Sequence, residues 1–412
     1  MRVCIVYDCL FPYTIGGGER WYRSLAERLA REGHEVTYLT LRQWERGSSV
    51  ELPGVRVVTA GPRMALYTRS GRRRVLPPLV FGVGVLLHLL GSRRRYEVVD
   101  TSSFPYFSLL AAAAVRPLLG FELVVDWFEV WSDSYWREYL GPLAGRAGVL
   151  VQRLCARVPQ RAFCISELHA RRLREEGLKG GVTVLRGLYA GSAEAAEAPP
   201  IASVGERRAA GRVDSPARSP QRSRAEISGE PLVLFAGRLI PEKHVTLAVA
   251  AIGLAAERIE GLRGEILGDG PERSAMDEAI RTRGLTEIVS APGFVDSETV
   301  VAEMRRASCL LLTSRREGYG LVVVEAAAHG TPSVVVAGED NAATELIVEG
   351  VNGTIAARAD PQTVADAIER VHAAGAAMRE STARWFAENA ERLSLESSLR
   401  TVLASYASSA RR

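Results

Sequence analysis

Two cations beside one strand end mark the part of this sequence best suited to hold a phosphate. The run Phe235-Ala236-Gly237-Arg238-Leu239-Ile240-Pro241-Glu242-Lys243-His244 closes an apolar, strand-like segment, Leu232–Ala236. In open α/β sheets ligands gather at the carboxyl ends of strands. Arg238 offers a planar fork that matches phosphate oxygens, and Lys243 offers a point charge five residues on. Lysine occurs in the chain only at Lys179 and Lys243; every other cation is Arg. Two cations of different geometry suit a diphosphate. The plainer alternative is a solvated pair between Lys243 and Glu242.

Three glycine-bearing segments add to this. Gly16-Gly17-Gly18-Glu19-Arg20 lies between a strand-like and a helix-like run. Consecutive glycines let backbone N–H groups approach a ligand, and a helix start favours an anion. The dinucleotide fingerprint G-x-G-x-x-G fails there, because Trp21 stands at its third glycine. It fails again in Gly268-Asp269-Gly270-Pro271-Glu272-Arg273, where Arg273 fills the last place. Each of these two segments also reads as a structural turn. The last segment is Ser314-Arg315-Arg316-Glu317-Gly318-Tyr319-Gly320-Leu321, running on to Glu325. Glu317 falls in the loop after a strand. Glu325 falls in the following helix among Val322, Val323, Val324 and Ala326–Ala328, where a carboxylate is costly to bury without a hydrogen-bonding partner. Sugar or ribose hydroxyls are natural partners, and a helix-surface Glu is the alternative.

The elements that would position these residues read as two βα series. Val3–Tyr7, a glycine loop, the helical spacing of Glu19–Glu32, Gly33 and Glu35–Thr40 make a βαβ start. Strands are predicted at Val55–Thr59, Glu97–Thr101, Leu123–Trp127, Arg161–Ile165 and Val182–Leu185. Residues 191–228 carry few large apolar side chains and read as a flexible linker or insertion. The rhythm restarts at Leu232–Ala236, with strands at Arg263–Leu267, Ile288–Ser290, Cys309–Thr313 and Ser333–Val336. Helices are predicted at Pro271–Arg283, Ser297–Ala307, Gly320–Ala328 and through Pro361–Arg412. The domain reading is 1–190, linker 191–228, a second domain 229–385, and a last helix 386–412.

The composition is that of a globular protein, with 47% hydrophobic and 24% charged residues. Residues 1–190 hold 27 basic and 17 acidic residues, a net +10, against a total of +4. That half suits an anionic partner. Its arginines are spread over many elements, which speaks against nucleic acid. Met1–Tyr7 is too short for a signal-peptide core, and no apolar run reaches a bilayer span. Five scattered cysteines without metal-ligand spacing read as buried thiols of a cytoplasmic protein. Pro77–Leu90 is mostly apolar and lies between Arg72-Arg73-Arg74 and Arg93-Arg94-Arg95. It reads either as a core helix with solvated ends or as a peripheral contact with an anionic membrane.

Taken together, the segments resemble glycosyltransferase family four, retaining enzymes of the GT-B fold. The resemblance rests on Gly16-Gly17-Gly18-Glu19-Arg20, Gly237-Arg238-Leu239 with Lys243, Gly268-Asp269-Gly270-Pro271, and Glu317/Glu325 with seven residues between. It implies an α/β chain of two Rossmann-like domains facing across a cleft. It implies a hexosyltransferase-like activity, moving a sugar from a nucleoside diphosphate sugar to an unidentified hydroxyl acceptor, whether a glycan, a lipid-linked molecule or a small molecule. Arg238 and Lys243 would hold the diphosphate, with no metal or other cofactor required. Glu317 would contact the sugar and Glu325 the ribose. Gly318, Tyr319 and the amides of Gly320 and Leu321 would line the phosphate and sugar. Gly16, Gly17 and Gly18 would close over the phosphate, Gly237 and Gly268 would line the donor, and the stretch around Val295 would meet the base. The last helix would cross back to the first domain. The sequence departs from the family at Phe128, which stands where the family often has a donor-contacting His. A nucleotide-sugar-binding protein with weak or no transfer is therefore the alternative.

Overall fold

Short runs of Val, Ile and Leu bounded by polar turns form strands buried on both faces, as parallel sheets require. The computed structural model describes residues 1–14, 16–45, 50, 52–68, 73–92, 95–191 and 230–409. The expected linker lies outside the described residues except for Gly191, as do Arg72, Arg93 and Arg94. By its internal contacts the chain divides into two units. The first comprises Met1–Ala190, Glu317–Tyr319 and Ala390–Arg412; the second comprises Gly191–Arg316 and Gly320–Asn389.

The first unit has seven parallel strands: β1 Arg2–Val6, β2 Glu35–Thr40, β3 Val55–Thr59, β4 Val98–Ser102, β5 Glu122–Trp127, β6 Arg161–Cys164 and β7 Val182–Val184. Their order is β3-β2-β1-β4-β5-β6-β7. The helices are α1 Gly17–Arg31, α2 Leu76–Gly91, α3 Phe107–Leu119, α4 Asp133–Leu140, α5 Pro142–Ala156 and α6 Glu167–Glu175. The chain leaves β1 in one direction as far as β3, then returns to β4 and proceeds in the other. Right-handed crossovers therefore put α1 on one face of the sheet and α2, α3, α5 and α6 on the opposite face.

The second unit has the six-stranded parallel order β10-β9-β8-β11-β13-β15. Its strands are β8 Leu232–Ala236, β9 Arg263–Leu267, β10 Val289–Gly293, β11 Cys309–Leu312, β13 Ser333–Val336 and β15 Gly353–Ala356. A two-residue ribbon pairs β12 Arg316–Glu317 with β14 Asp340–Asn341. Its helices are α7 Val245–Ala256, α8 Arg273–Thr282, α9 Ser297–Arg306, α10 Leu321–Ala328 and, as far as Asn389, α11 Pro361–Leu393; the following α12 Leu395–Ser409 belongs to the first unit. The strand β15 was not expected, because Gly353-Thr354-Ile355-Ala356 is short and barely apolar. The C-terminal stretch is not one continuous helix: Gly375 has non-helical angles (φ 51°, ψ −130°), and α11 ends before Ser394.

Each unit has its own core. Ile5, Tyr22, Leu25, Val99, Val125 and Trp127 are fully buried in the first, joined by Val402 and Tyr406 of α12. Phe235, Val249, Ile252, Ile266, Val334 and Val364 fill the second.

Candidate functional site

In the second unit, three loops at the carboxyl ends of neighbouring strands are hydrogen-bonded side by side. Gly237 N–H donates to Leu267 O at 2.9 Å, Leu239 N–H to Asp269 O at 2.9 Å, and Gly268 N–H to Gly293 O at 2.8 Å. The fit has no room for a side chain at Gly268: a Cβ there would lie 1.9 Å from Gly237 O, and its φ is +136°. The glycine turn after β9 is thus the support on which the Gly237–Leu239 loop rests, a role that the failed dinucleotide fingerprint did not convey.

Lys243 ends a short 3-10 turn, Pro241–Lys243, and His244 follows in the left-handed region (φ 51°) as the residue capping α7. Thr313 Oγ1 donates to Lys243 O at 2.8 Å, and Arg315 N–H to Glu242 O at 2.8 Å. The turn is therefore held by the chain that leaves β11. The Lys243 stem comes back toward Gly237, with Cε 4.0 Å from the place of a Gly237 Cβ. Arg238 is exposed and Lys243 half-buried. Glu242 forms an ion pair with Arg316 at 3.7 Å.

Two polar atoms beside this turn are buried without a partner among the described residues, Ser314 Oγ and His244 Nδ1. Burial, with the Arg315 charge adding to it, holds His244 below its ordinary pKa. A neutral ring and a hydroxyl left unpaired in a loop cluster suit a ligand's hydroxyls. Sequence reasoning passed over Thr313, Ser314 and His244. The available signal was a Thr-Ser pair directly after an apolar strand.

The start of α10 lies in the same unit. Gly320, buried and left-handed (φ 93°), precedes it, and no side chain caps the helix. Amides at such a start are donors for an anion or a hydroxyl. Leu321 and Glu325 are both half-buried and four residues apart, hence on one helix face. Val295 is half-buried two residues beyond Gly293.

The other expected site residues belong to the first unit. Gly16 is the cap of α1, and the Glu19 carboxylate folds back against it, 2.4 Å from the place of a Gly16 Cβ. Gly17 faces open space. Gly18 packs closely, since a Cβ there would stand 2.7 Å from Tyr7 Oη and 3.4 Å from Phe128 Cε2. Phe128 is half-buried directly after β5, with its ring edge-on to Tyr22 at 5.9 Å. Gly18 and Phe128, far apart in sequence, are thus neighbours. Glu317 is half-buried in β12, a two-residue strand within the segment that follows β11, and Gly318 and Tyr319 are buried. Gly318 lies against Phe128 O and Glu129, and Tyr319 Oη donates to Arg186 O at 2.6 Å.

Beneath the glycine run, two fully buried carboxyl groups sit on adjacent strands. Trp21 Nε1 donates to Asp126 Oδ2 at 2.7 Å, and Tyr406 Oη donates to Asp100 Oδ2. Burial pushes the Asp126 carboxyl up to about 7. Burial and the neighbouring Asp126 charge push Asp100 well above the carboxylate range.

Two doubly wound parallel sheets, with glycine loops and cations at their strand ends, define the architecture of a GT-B glycosyltransferase. Solved structures agree on the fold. Sucrose-phosphate synthase from Thermosynechococcus elongatus superposes with a TM-score of 0.76 over 99% of this chain and 98% of its own, at 17% identity. HepE from Anabaena, in complex with UDP, gives 0.70 over 99% and 100%, also at 17%. The chain belongs to glycosyltransferase family four: residues 16–187 match the glycosyl transferase 4-like domain and residues 218–392 the glycosyl transferases group 1 family.

Among curated relatives, alpha-D-kanosaminyltransferase of Streptomyces kanamyceticus is 31% identical over 154 residues, 37% of this chain and 39% of that protein. The GDP-mannose-dependent alpha-(1-6)-phosphatidylinositol monomannoside mannosyltransferase of Mycobacterium tuberculosis is 30% identical over 189 residues, 42% of this chain and 49% of that protein. The chain therefore matches less than half the length of either. Among the described residues no His, Cys, Asp and Glu cluster could hold a metal ion.

Proposed function

We propose that the protein is a retaining glycosyltransferase that moves a hexose from a nucleoside diphosphate sugar to a hydroxyl acceptor. The observation that carries this reading is the three-loop cluster of the second unit, where Arg238 and Lys243 flank Gly237 on a base built by Gly268 and Gly293. Charge that builds on the departing diphosphate would be met by cations fixed in advance. Glu317 would hold the sugar, and Glu325 the ribose. Retention by front-face attack, without a protein nucleophile, follows from the family.

HepE is described in complex with UDP and with UDP-glucose, and the mycobacterial relative is named as GDP-mannose-dependent. Both support a nucleoside diphosphate sugar as donor while differing in base and sugar. The test is turnover of a panel of radiolabelled nucleoside diphosphate sugars, read as released nucleoside diphosphate and as labelled product. Release or transfer with at least one donor is expected, and binding of none of them would overturn the reading. A second reading, nucleotide-sugar binding with weak or no transfer, is favoured by Phe128 at the end of β5. Tight donor binding without any turnover would select it.

A further inference from the structure

We infer that the α2–α3–α5 layer of the first unit is a docking face for an anionic lipid bilayer. Helix α2 is apolar on both sides. Pro77, Pro78, Phe81, Gly82, Val85 and Leu89 are buried. Leu76, Leu79, Val83, Leu87 and Leu90 are 40–64% exposed. At 3.6 residues per turn those five fall within an arc of about 80° and run about 21 Å along the helix. A helix that is hydrophobic all round is either covered or meets lipid. No helix among the described residues is long and apolar enough to cross a membrane, so this one would lie along the surface.

The neighbouring helices continue the pattern. Right-handed crossovers place α3 and α5 in the same layer as α2. On α5, Leu143, Leu150 and Leu154 are 50–79% exposed, and they share one helix face with exposed Arg146. Leu118, near the end of α3, is 74% exposed. None of the three helices contains an Asp or a Glu, in a chain with 48 acidic residues.

Charge selects the occupant. The exposed arginines Arg74 and Arg95 stand just before and after α2, and residues 1–190 carry the net +10. Leucines interleaved with arginines, without carboxylates, suit the headgroup and acyl boundary of an anionic leaflet. Two details refine the sequence reading. Arg73 is not a surface cation, since it is ion-paired with the buried Asp8. His88 lies off the exposed stripe, 2.9 Å from Tyr96 Oη, and burial lowers its pKa. A neutral, partnered imidazole is no obstacle to lipid contact.

The experiment is co-sedimentation of the full chain with vesicles of phosphatidylcholine alone or with a third phosphatidylglycerol, at low salt and at 1 M salt. Pelleting is expected only with phosphatidylglycerol at low salt, since screening shrinks to about 3 Å at 1 M. The double variant Val83→Asp/Leu87→Asp should abolish it. Arg95→Gln/Arg146→Gln should weaken it by roughly thirtyfold. All four positions are exposed, and unchanged melting temperatures would show that the variants fold. Absence of pelleting with phosphatidylglycerol, or pelleting that both variants retain, would overturn the inference. So would a dimer in sedimentation equilibrium that Val83→Asp/Leu87→Asp dissolves, because the stripe would then join two copies.

Discussion

Trp21 donates its indole N–H to Asp126 at 2.7 Å inside the first unit. Trp21 sits three residues after Gly18, and Asp126 two residues before Phe128. One buried bond thus fixes the glycine run relative to the end of β5, and this is what brings Gly18 and Phe128 together. The bond rests on a carboxyl group that shares its surroundings with Asp100, so its protonation matters to the whole arrangement.

Stability should fall as pH rises through the window from about 4 to about 7. The folded Asp126 carboxyl, raised to about 7 by burial, keeps its proton there, while the unfolded chain releases it. A raised carboxyl contributes stability that is complete below the unfolded pKa and lost as pH passes the folded one. Asp126→Asn still accepts from Trp21 and has no proton to lose. Denaturant melts from pH 4 to 8 should show a flatter profile for the variant, with a difference of roughly 2–4 kcal/mol across the window. Parallel profiles would remove Asp126 from this account.

Arg238→Ala and Lys243→Ala should each weaken nucleoside diphosphate binding by roughly 1.5–3 kcal/mol, the loss of one charge-assisted hydrogen bond. Titration calorimetry reads this directly. If both variants bind like the parent, the Gly237–Lys243 loop does not hold the diphosphate.

The two glutamates should separate by readout. Glu317→Gln should lower turnover by more than it lowers nucleotide affinity, because only the sugar would touch it. Glu325→Gln should weaken every ligand that carries ribose, including the free nucleotide. Equal effects of both variants on both measurements would contradict this division.

Gly268→Ala should destabilise the second unit by about 1–3 kcal/mol, through its positive φ and the Cβ driven into Gly237 O. Nucleotide affinity should drop as well, because the Gly237–Leu239 loop is supported there. A variant that melts and binds like the parent would mean that the loops are not coupled.

Much of the fold was legible because parallel strands are short, apolar and bounded by turns. Leu232–Ala236 and Arg263–Leu267 match to the residue. Gly353–Ala356 was missed because an edge strand needs little apolar content and pairs through its backbone. The phosphate-suited cations could be read from residue type and spacing. The bracing of Lys243 by Thr313, the Glu242–Arg316 pair and the Asp100–Asp126 pair could not, since each joins segments that only the sheet order brings together. The face of α2 was ambiguous for a related reason. A helix apolar on both sides carries no periodic signal, and only its packing on α3 shows which side is left open.

Phe128 offers the sharpest test of how the donor is handled. It follows β5, lies beside Gly18, and packs edge-on against Tyr22. The resemblance to family four puts a donor-contacting His at this place. Phe128→His would exchange an aromatic contact worth about 0.5–1.5 kcal/mol for a ring that can hydrogen-bond. The variant should therefore melt slightly earlier than the parent. If the position meets the donor sugar, the variant should also raise the transfer rate or change the ratio of transfer to donor hydrolysis. Both rates can be followed with a labelled nucleoside diphosphate sugar, by separating product from free sugar. A lower melting temperature with both rates unchanged would mean that Phe128 serves packing alone, and that another residue orients the sugar.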